Sequence, residues 1–397
     1  MRFFSTAVTG LAGLLSVQVA ASPVPTPVEA RQATGTISNK VIFSPPTNAG
    51  WVDPRVLYAR AIQLESGDLI ATWENYSPEP PIVYFPVWRS SDGGNTWAEI
   101  GRVQDTVNGW GLRYQPSLYE LPADFAGFPA GTVLLAGNSI PTDLSLTKID
   151  VYASTDGGVS WEFLSSVASG GEARPNNGLT PVWEPHFLEN LSANETPLHS
   201  LHDGQLILYY ADQRDPKYGQ KLSHQVTTDL KTWGDVVDDV NDPNSYEARP
   251  GMPAITKLPN DDYIYAYEVC GTDGCRVHYR LTADPHNILA APGISLVSDR
   301  GTRPVSSPYV VWSPLGGENG TIVLSAGSQS NIFVNQKLGD ASAWVEYAVP
   351  QPNAYSRSLE LLADGKSLAI IGAGRLPPST TNQVSISVVD LEALLGL

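Results

Sequence analysis

The side chains of this chain best suited to chemistry are carboxylates set among large aromatics: 41 Asp and Glu against 24 Lys and Arg, with 10 Trp and 17 Tyr. Other reaction classes lack their residues. The sequence has no Gly-x-Ser-x-Gly turn, no phosphate-cradling glycine loop and no Gly-x-Gly-x-x-Gly after a strand. The six histidines are scattered, with no pair at metal-ligand spacing. His186, His224 and His278 fall in or beside strand-like segments and read as structural. No cofactor and no metal are expected. What two carboxyl groups can do together is hydrolyse a glycosidic bond, one protonating the leaving oxygen and the other trapping or stabilising the cation. The candidate pair is Glu184, in Pro181-Val182-Trp183-Glu184-Pro185, and Glu268, in Tyr265-Ala266-Tyr267-Glu268. Glu74, after Trp73, is a rival. Glu172 and Glu247 stand near Arg174 and Arg249 and read as ion-pair partners. Asp212 is placed either to bind a sugar hydroxyl or to orient Arg214. Arg60, Tyr114, Trp183, Arg249 and Arg357 complete the expected substrate-binding set.

The elements that position these residues are repeats. Ser90-Ser91-Asp92-Gly93-Gly94-Asn95-Thr96-Trp97 and Ser154-Thr155-Asp156-Gly157-Gly158-Val159-Ser160-Trp161 share the pattern Ser-x-Asp-x-Gly-x-(Ser/Thr)-Trp. This spells a turn: Asp and Ser oxygens accept from backbone N–H groups ahead of them, glycine supplies positive φ, and Trp opens the next strand. Weaker copies occur at Thr227 to Trp233, around Asp284, and from Asp340 to Trp344. The steps between the aspartates are 64, 73, 55 and 56 residues. Two apolar runs joined by a polar turn recur six times, at 58–74, 114–137, 183–210, 253–268, 308–327 and 356–372, and each reads as a β-hairpin. No stretch reads as a long amphipathic helix. Short strands at this period predict a closed all-β ring, a six-bladed β-propeller, because one blade cannot cover its own apolar faces.

In such a ring the first strand of each blade starts at the mouth where the second strand ends. Aligning the hairpins on Leu64, Leu121, Leu188, Leu258, Trp312 and Leu361 places Arg60, Ser117, Glu184, Ala254, Pro308 and Arg357 in one register at the inner strand starts. Charged groups there are either a mutually satisfied cluster or a site. Glu268 closes the second strand of blade four and is expected beside Glu184 of blade three.

The octapeptides resemble the Asp-box of the sialidase-like six-bladed propellers. That resemblance implies a place on the outer turns of the blades, so that Asp92 and Asp156 are structural. Arg2 and the apolar run Phe3 to Ala21 have the form of a secretory signal peptide (1–21), followed by a proline-rich pro-segment (22–31) and a single propeller domain (32–397). The protein is therefore expected to be secreted. Its net charge of −17, or −18 once Arg2, Glu29 and Arg31 are removed, disfavours nucleic acid and anionic lipid. Cys270 and Cys275 are expected to form a disulfide. Asn75, Asn190, Asn194 and Asn319 head four glycosylation sequons.

The runs Pro181-Val-Trp-Glu184-Pro, Tyr210-Ala-Asp-Gln-Arg-Asp-Pro216, Gln220-Lys-Leu-Ser-His-Gln225, Val236-Val-Asp-Asp-Val240, Arg249-Pro-Gly-Met-Pro253 and Tyr267-Glu268 resemble the fungal exo-arabinanases of glycoside hydrolase family 93 over nearly the whole mature chain. The resemblance implies release of arabinobiose from α-1,5-linked arabinan with retention of configuration. It maps the two working glutamates onto Glu184, as nucleophile, and Glu268, as acid/base. Glu268 is then expected in the more apolar or more anionic setting, with Arg60 or Arg357 keeping Glu184 ionised. The partner implied is plant cell-wall arabinan, bound by a monomer. An exo-sialidase, using Arg60 and Arg357 in an arginine cluster, and a non-catalytic carbohydrate-binding propeller are the competing readings. The polar stretch after Phe187 and the Cys270 to Cys275 loop depart from the family pattern beside the expected mouth.

Overall fold

The computed structural model describes residues 31–32, 35–47, 50–188 and 204–397. They form six β-sheets, each an antiparallel meander of four strands. Blade one is Val56–Gln63, Leu69–Asn75, Phe85–Ser90 and Ala98–Val103, and blade two is Leu112–Glu120, Val133–Ser139, Thr147–Ser154 and Glu162–Gly170. Blade three is Val182–Phe187, Leu206–Asp212, Lys221–Thr227 and Val237–Val240. Blade four is Arg249–Lys257, Tyr263–Cys270, Arg276–Thr282 and Ile294–Ser295. Blade five is Tyr309–Ser313, Thr321–Ser325, Ile332–Asn335 and Trp344–Ala348, with Arg31–Gln32 added in parallel at its edge. Blade six takes Ser358–Leu361, Ser367–Gly372 and Val384–Asp390 from the C-terminal part of the chain and its outermost strand, Gly35–Phe43, from the N-terminal part. The ring is therefore closed by strand pairing between the two ends of the domain, an arrangement the hairpin count did not disclose.

Each inner strand packs against those of the neighbouring blades, the sixth against the first. Six of the apolar clusters fill the six gaps between blades. Leu134, Val151, Phe187 and Tyr210 fill the gap between blades two and three, and Trp73, Leu69, Ile371 and Val384 the gap between blades one and six. The driving force for the ring is thus the burial of sheet faces that no single blade can cover.

The Asp-box turns join the third and fourth strands, at the opposite end of the blades from the inner strand starts. Asp92 Oδ1 accepts from Thr96 N at 2.8 Å and Asp156 Oδ1 from Ser160 N at 2.9 Å, while Trp97 and Trp161 donate to Gly94 O and Gly158 O, both at 3.0 Å. The weaker copy follows the same plan, with Asp229 accepting from Thr232 N at 2.7 Å.

One device recurs at the mouth. In blades one to four the inner strand breaks register between Leu57 and Arg60, Tyr114 and Ser117, Trp183 and His186, and Gly251 and Ala254. Within each break one non-glycine residue takes positive φ: Tyr58 at 51°, Gln115 at 58°, Glu184 at 60° and Met252 at 54°. Such a bulge re-aims side chains at the end of a strand.

These breaks correct the expected register. The first pair beyond the bulge is Arg60↔Thr72, Ser117↔Ala136, His186↔Tyr209 and Ala254↔Ala266. His186, not Glu184, is level with Arg60, and Glu184 is level with Tyr58, Gln115 and Met252. In blade three His186 is the residue level with Arg60, so Leu188, whose N–H donates to Ile207 O at 3.2 Å, lies two residues short of the position Leu64 holds in blade one. In blade six Leu362 N donates to Ser367 O, as Leu64 N does to Asp68 O, which places Leu362 rather than Leu361 at the turn. Arg357 is therefore one residue out of the expected register and faces the other way.

Candidate active site

A cavity of about 440 Å³ opens at the mouth where inner strands start and second strands end, lined by Glu74, Tyr76, Tyr114, Gln115, Trp183, Glu184, Gln220, Arg249, Glu268, Ser306 and Tyr355, among others, with Leu376 and Pro377 at its edge. Glu184 and Glu268 are both 8 % exposed. The bulge holds Glu184 from two neighbouring blades: its N–H donates to Gln115 Oε1 at 3.0 Å, and its Oε2 accepts from Met252 N at 2.6 Å. Glu268 pairs in register with Gly251, and its Oε2 accepts from Ser307 N at 2.7 Å. A Cβ built on Gly251 would lie 3.2 Å from Glu184 Oε2 and 3.5 Å from Glu268 Oε1, so these two oxygens are at most about 6.7 Å apart, the sum of the two. The missing side chain at Gly251 leaves room for them to face each other.

Burial raises both carboxyls. Glu184 is pushed up to about 7, against the opposing pull of the Met252 N–H and of Arg249 and Arg60. Glu268 is pushed to about 8, first by burial and then by the Glu184 carboxylate facing it. Glu268 is raised the further of the two, because it faces the Glu184 carboxylate as well as being buried. Arg249, anchored to Gln213 Oε1 at 3.0 Å and Gln220 Oε1 at 2.6 Å, is the one arginine lining the cavity among the described residues. Gln213 Oε1 also accepts from Trp183 Nε1 at 2.8 Å, fixing the indole.

The other expected site residues divide. Tyr114, Trp183 and Arg249 line the cavity. Arg60 does not; its guanidinium lies 3.8 Å from the Tyr58 ring centroid, and it acts on Glu184 only by charge. Asp212 is buried and grips Arg214, Oδ1 to Nε at 2.9 Å and Oδ2 to Nη2 at 2.7 Å, so it orients Arg214 and does not line the cavity. Arg357 is 0 % exposed and donates to Ser330 O at 2.9 Å, Asn331 O at 2.7 Å and Gln351 O at 3.2 Å. Burial alone lowers its pKa, to about 9. It is a structural residue, because the one-residue slip turns it away from the mouth. Glu172 pairs with Arg174 at 2.9 Å, as expected, whereas Glu247 accepts from Asn177 Nδ2 at 3.3 Å.

Glu74 is a third cavity glutamate, 3 % exposed. It accepts from Tyr76 Oη at 2.7 Å and Gln115 N at 2.9 Å, and burial pushes it up to about 7. Sequence reasoning missed Tyr76, Gln115, Gln213, Gln220, Ser306, Ser307 and Tyr355. Gln213 and Gln220 lie inside quoted runs and were within reach; the others depend on the bulges and on loops between blades. The three histidines are accounted for: His186 Nε2 accepts from Ile255 N at 3.3 Å, and His224 and His278 meet Asp239 and Asp273, both at 2.7 Å.

Cys270 and Cys275 form the expected disulfide, and both line the cavity. Their sulfurs and the Glu268 carboxyl lie within 4.8 Å of one another, but bonded sulfurs offer no thiolate to a metal. Of the sequon residues, Asn190 and Asn194 lie outside the described residues and Asn319 is half-buried. Asn75 is 4 % exposed and donates to Ser77 Oγ at 3.3 Å, at the end of a second strand that is buried throughout.

Comparison with solved structures decides the family. An α-L-arabinofuranosidase of Fusarium graminearum, in complex with an iminosugar inhibitor, is 55 % identical, with 91 % of this chain and 99 % of that chain covered and a TM-score of 0.85. The chain belongs to glycoside hydrolase family 93. The Fusarium enzyme is assigned to that family in its complex with arabinobiose, again at 55 % identity, with 90 % and 99 % covered and a TM-score of 0.85. An α-L-arabinanase of Penicillium chrysogenum complexed with arabinobiose is 54 % identical, with 90 % and 98 % covered and a TM-score of 0.83. A sialidase of Streptococcus pneumoniae, 13 % identical with 93 % and 71 % covered and a TM-score of 0.54, shares the fold. Neither a protein-family model nor a curated protein matches the chain. This family 93 member is thus a glycoside hydrolase built on a six-bladed propeller of the sialidase type.

Proposed function

We propose that the protein is a secreted, exo-acting, retaining hydrolase of α-1,5-linked L-arabinan that releases arabinobiose. The carrying observation is that Glu184 and Glu268, from adjacent blades, bring one carboxylate oxygen each to within about 6.7 Å of the other in one cavity. Retaining enzymes place their carboxyl groups roughly 5 to 5.5 Å apart and inverting ones roughly 6.5 to 9.5 Å. The bound on this oxygen pair admits the retaining separation and meets the inverting range only at its lower edge. In this reading ionised Glu184 attacks the anomeric carbon while Glu268 passes its proton to the departing glycosidic oxygen. The glycosyl ester on Glu184 is then cleaved by a water whose proton returns to Glu268. The electrostatics support these roles, since burial and the facing Glu184 carboxylate both favour the protonated form of Glu268. Arg249 favours the ionised nucleophile, and Tyr114 and Trp183 provide aromatic walls for the sugars.

The relatives' arabinobiose complexes support a two-sugar product, and the signal-like N-terminal run supports secretion. The sialidase alternative depended on Arg60 and Arg357 meeting at the mouth, and neither lines the cavity. The test is incubation of purified protein with linear arabinan: arabinobiose as the sole early product supports the proposal, and a ladder of oligomers contradicts exo action.

A further inference from the structure

The cavity wall beside Glu268 is the loop from Cys270 to Cys275, which touches one oxygen of that carboxyl directly and is tied to the donor on the other through Ser306. Glu268 and Cys270 are two apart on the strand Tyr263–Cys270, so their side chains leave the same face. Cys270 Sγ stands 3.3 Å from Glu268 Oε1. Bonded to Cys275, that sulfur carries no proton and donates nothing, so the contact is an apolar one that displaces water. The other oxygen, Oε2, accepts from Ser307 N, and the neighbouring Ser306 N donates to Cys275 O at 2.8 Å. Ser306 and Ser307 have φ of 70° and 45°, a region that L side chains occupy only when their surroundings impose it. The loop is itself tightly seated: Gly271, at φ 79°, would place a Cβ 1.8 Å from Glu247 O. Asp273 binds Arg276 at 3.1 Å and His278 at 2.7 Å.

We propose that the Cys270–Cys275 disulfide is a positioning element of the catalytic acid: it fixes the Glu268 carboxyl at both oxygens and shuts water away from Oε1. The inference rests on the acid/base reading of Glu268. The charged and titratable groups facing that carboxyl are Glu184 from blade three, Arg249 from the inner strand of blade four and Tyr355 from the loop before blade six, with Ser306 adding a side-chain hydrogen bond. Burial is the largest cause of its raised pKa, and the disulfide supplies part of that burial. Replacing the sulfurs with hydroxyl donors, or opening the wall to water, favours the carboxylate.

The test uses the full chain carrying Cys270→Ser and Cys275→Ser together. Carbon-13 titration of the Glu268 carboxyl, assigned by Glu268→Gln, is compared with the pH dependence of kcat/KM. The expected result is a titration midpoint lower by about one pH unit or more, with the alkaline limb of kcat/KM moving down beside it. Wild-type protein reduced by a phosphine under native conditions provides the same comparison if the double variant does not fold. A lower Tm with an unchanged midpoint and unchanged alkaline limb overturns the proposal and leaves the disulfide a plain staple. A lowered midpoint with an unmoved alkaline limb overturns the acid role of Glu268 while its positioning by the disulfide stands.

Discussion

Two glutamates in one desolvated cavity cannot both be charged at low cost, and the assignment of roles follows from which gives way. Glu268 is raised partly by Glu184, so Glu184→Gln removes an anion and lowers the Glu268 titration midpoint, whereas Glu268→Gln is expected to leave that of Glu184 nearly unchanged. Carbon-13 titration of each variant checks this. In kinetics Glu268→Gln is expected to cost about 10²- to 10⁴-fold in kcat/KM on arabinan, and much less on an aryl arabinoside whose leaving group needs no proton. Glu184→Gln is expected to abolish turnover of both. The sign of the stability effect is also set. Glu74, Glu184 and Glu268 have folded values above their ordinary 4.5, so their contribution is full below about 4.5 and is lost as pH rises to about 7 or 8. Glu268→Gln is accordingly expected to raise Tm relative to wild type at pH 8 and to change it little at pH 4.5, as calorimetry would show.

Strands and their bulges decide what was legible in the sequence. The six hairpins, the pairing of blade three with blade four and the cavity location of Glu184 and Glu268 could be read from alternation, turn residues and meander topology. The bulges could not. A two-residue slip leaves the alternation intact, which is why Glu184 could be aligned with Arg60 when its counterpart is Tyr58. A one-residue slip reverses every side chain, and it took Arg357 from the mouth to a bed of backbone carbonyls. The two positions predict opposite phenotypes. Gly251→Ala places a methyl 3.0 Å from Gln220 Nε2 and against both carboxylates, and is expected to lower kcat about 10²-fold with little loss of Tm. Arg357→Ala leaves three carbonyls without their donor and a cavity behind, and is expected to cost about 2 to 4 kcal/mol in denaturant unfolding with KM unchanged. Similar kinetic losses in both variants would contradict this division.

At the scale of the ring, closure joins the two ends of the domain: Gly35–Phe43 completes the blade whose other strands come from residues 358–390. No repeat marks this strand, because it is a single segment severed from its hairpins. The Asp-boxes are the ring's acid-sensitive fasteners. Asp92, Asp156 and Asp229 are held at about 2 by hydrogen bonds from their own turns, though for Asp156 burial opposes them as the largest single influence. Depressed folded values contribute stability above the ordinary 3.8 and lose it as pH falls toward 2. Replacing all three with Asn is expected to flatten the fall of Tm between about pH 4 and pH 2, and an unchanged slope would show that other carboxylates govern it. The same ring brings blades three and four together at the mouth, and everything proposed about the reaction depends on that juxtaposition. Proton NMR of the first product released from linear arabinan tests it most directly. The α-anomer of arabinobiose, appearing before mutarotation, is the predicted result; the β-anomer would mean that Glu184 and Glu268 do not act as a retaining pair.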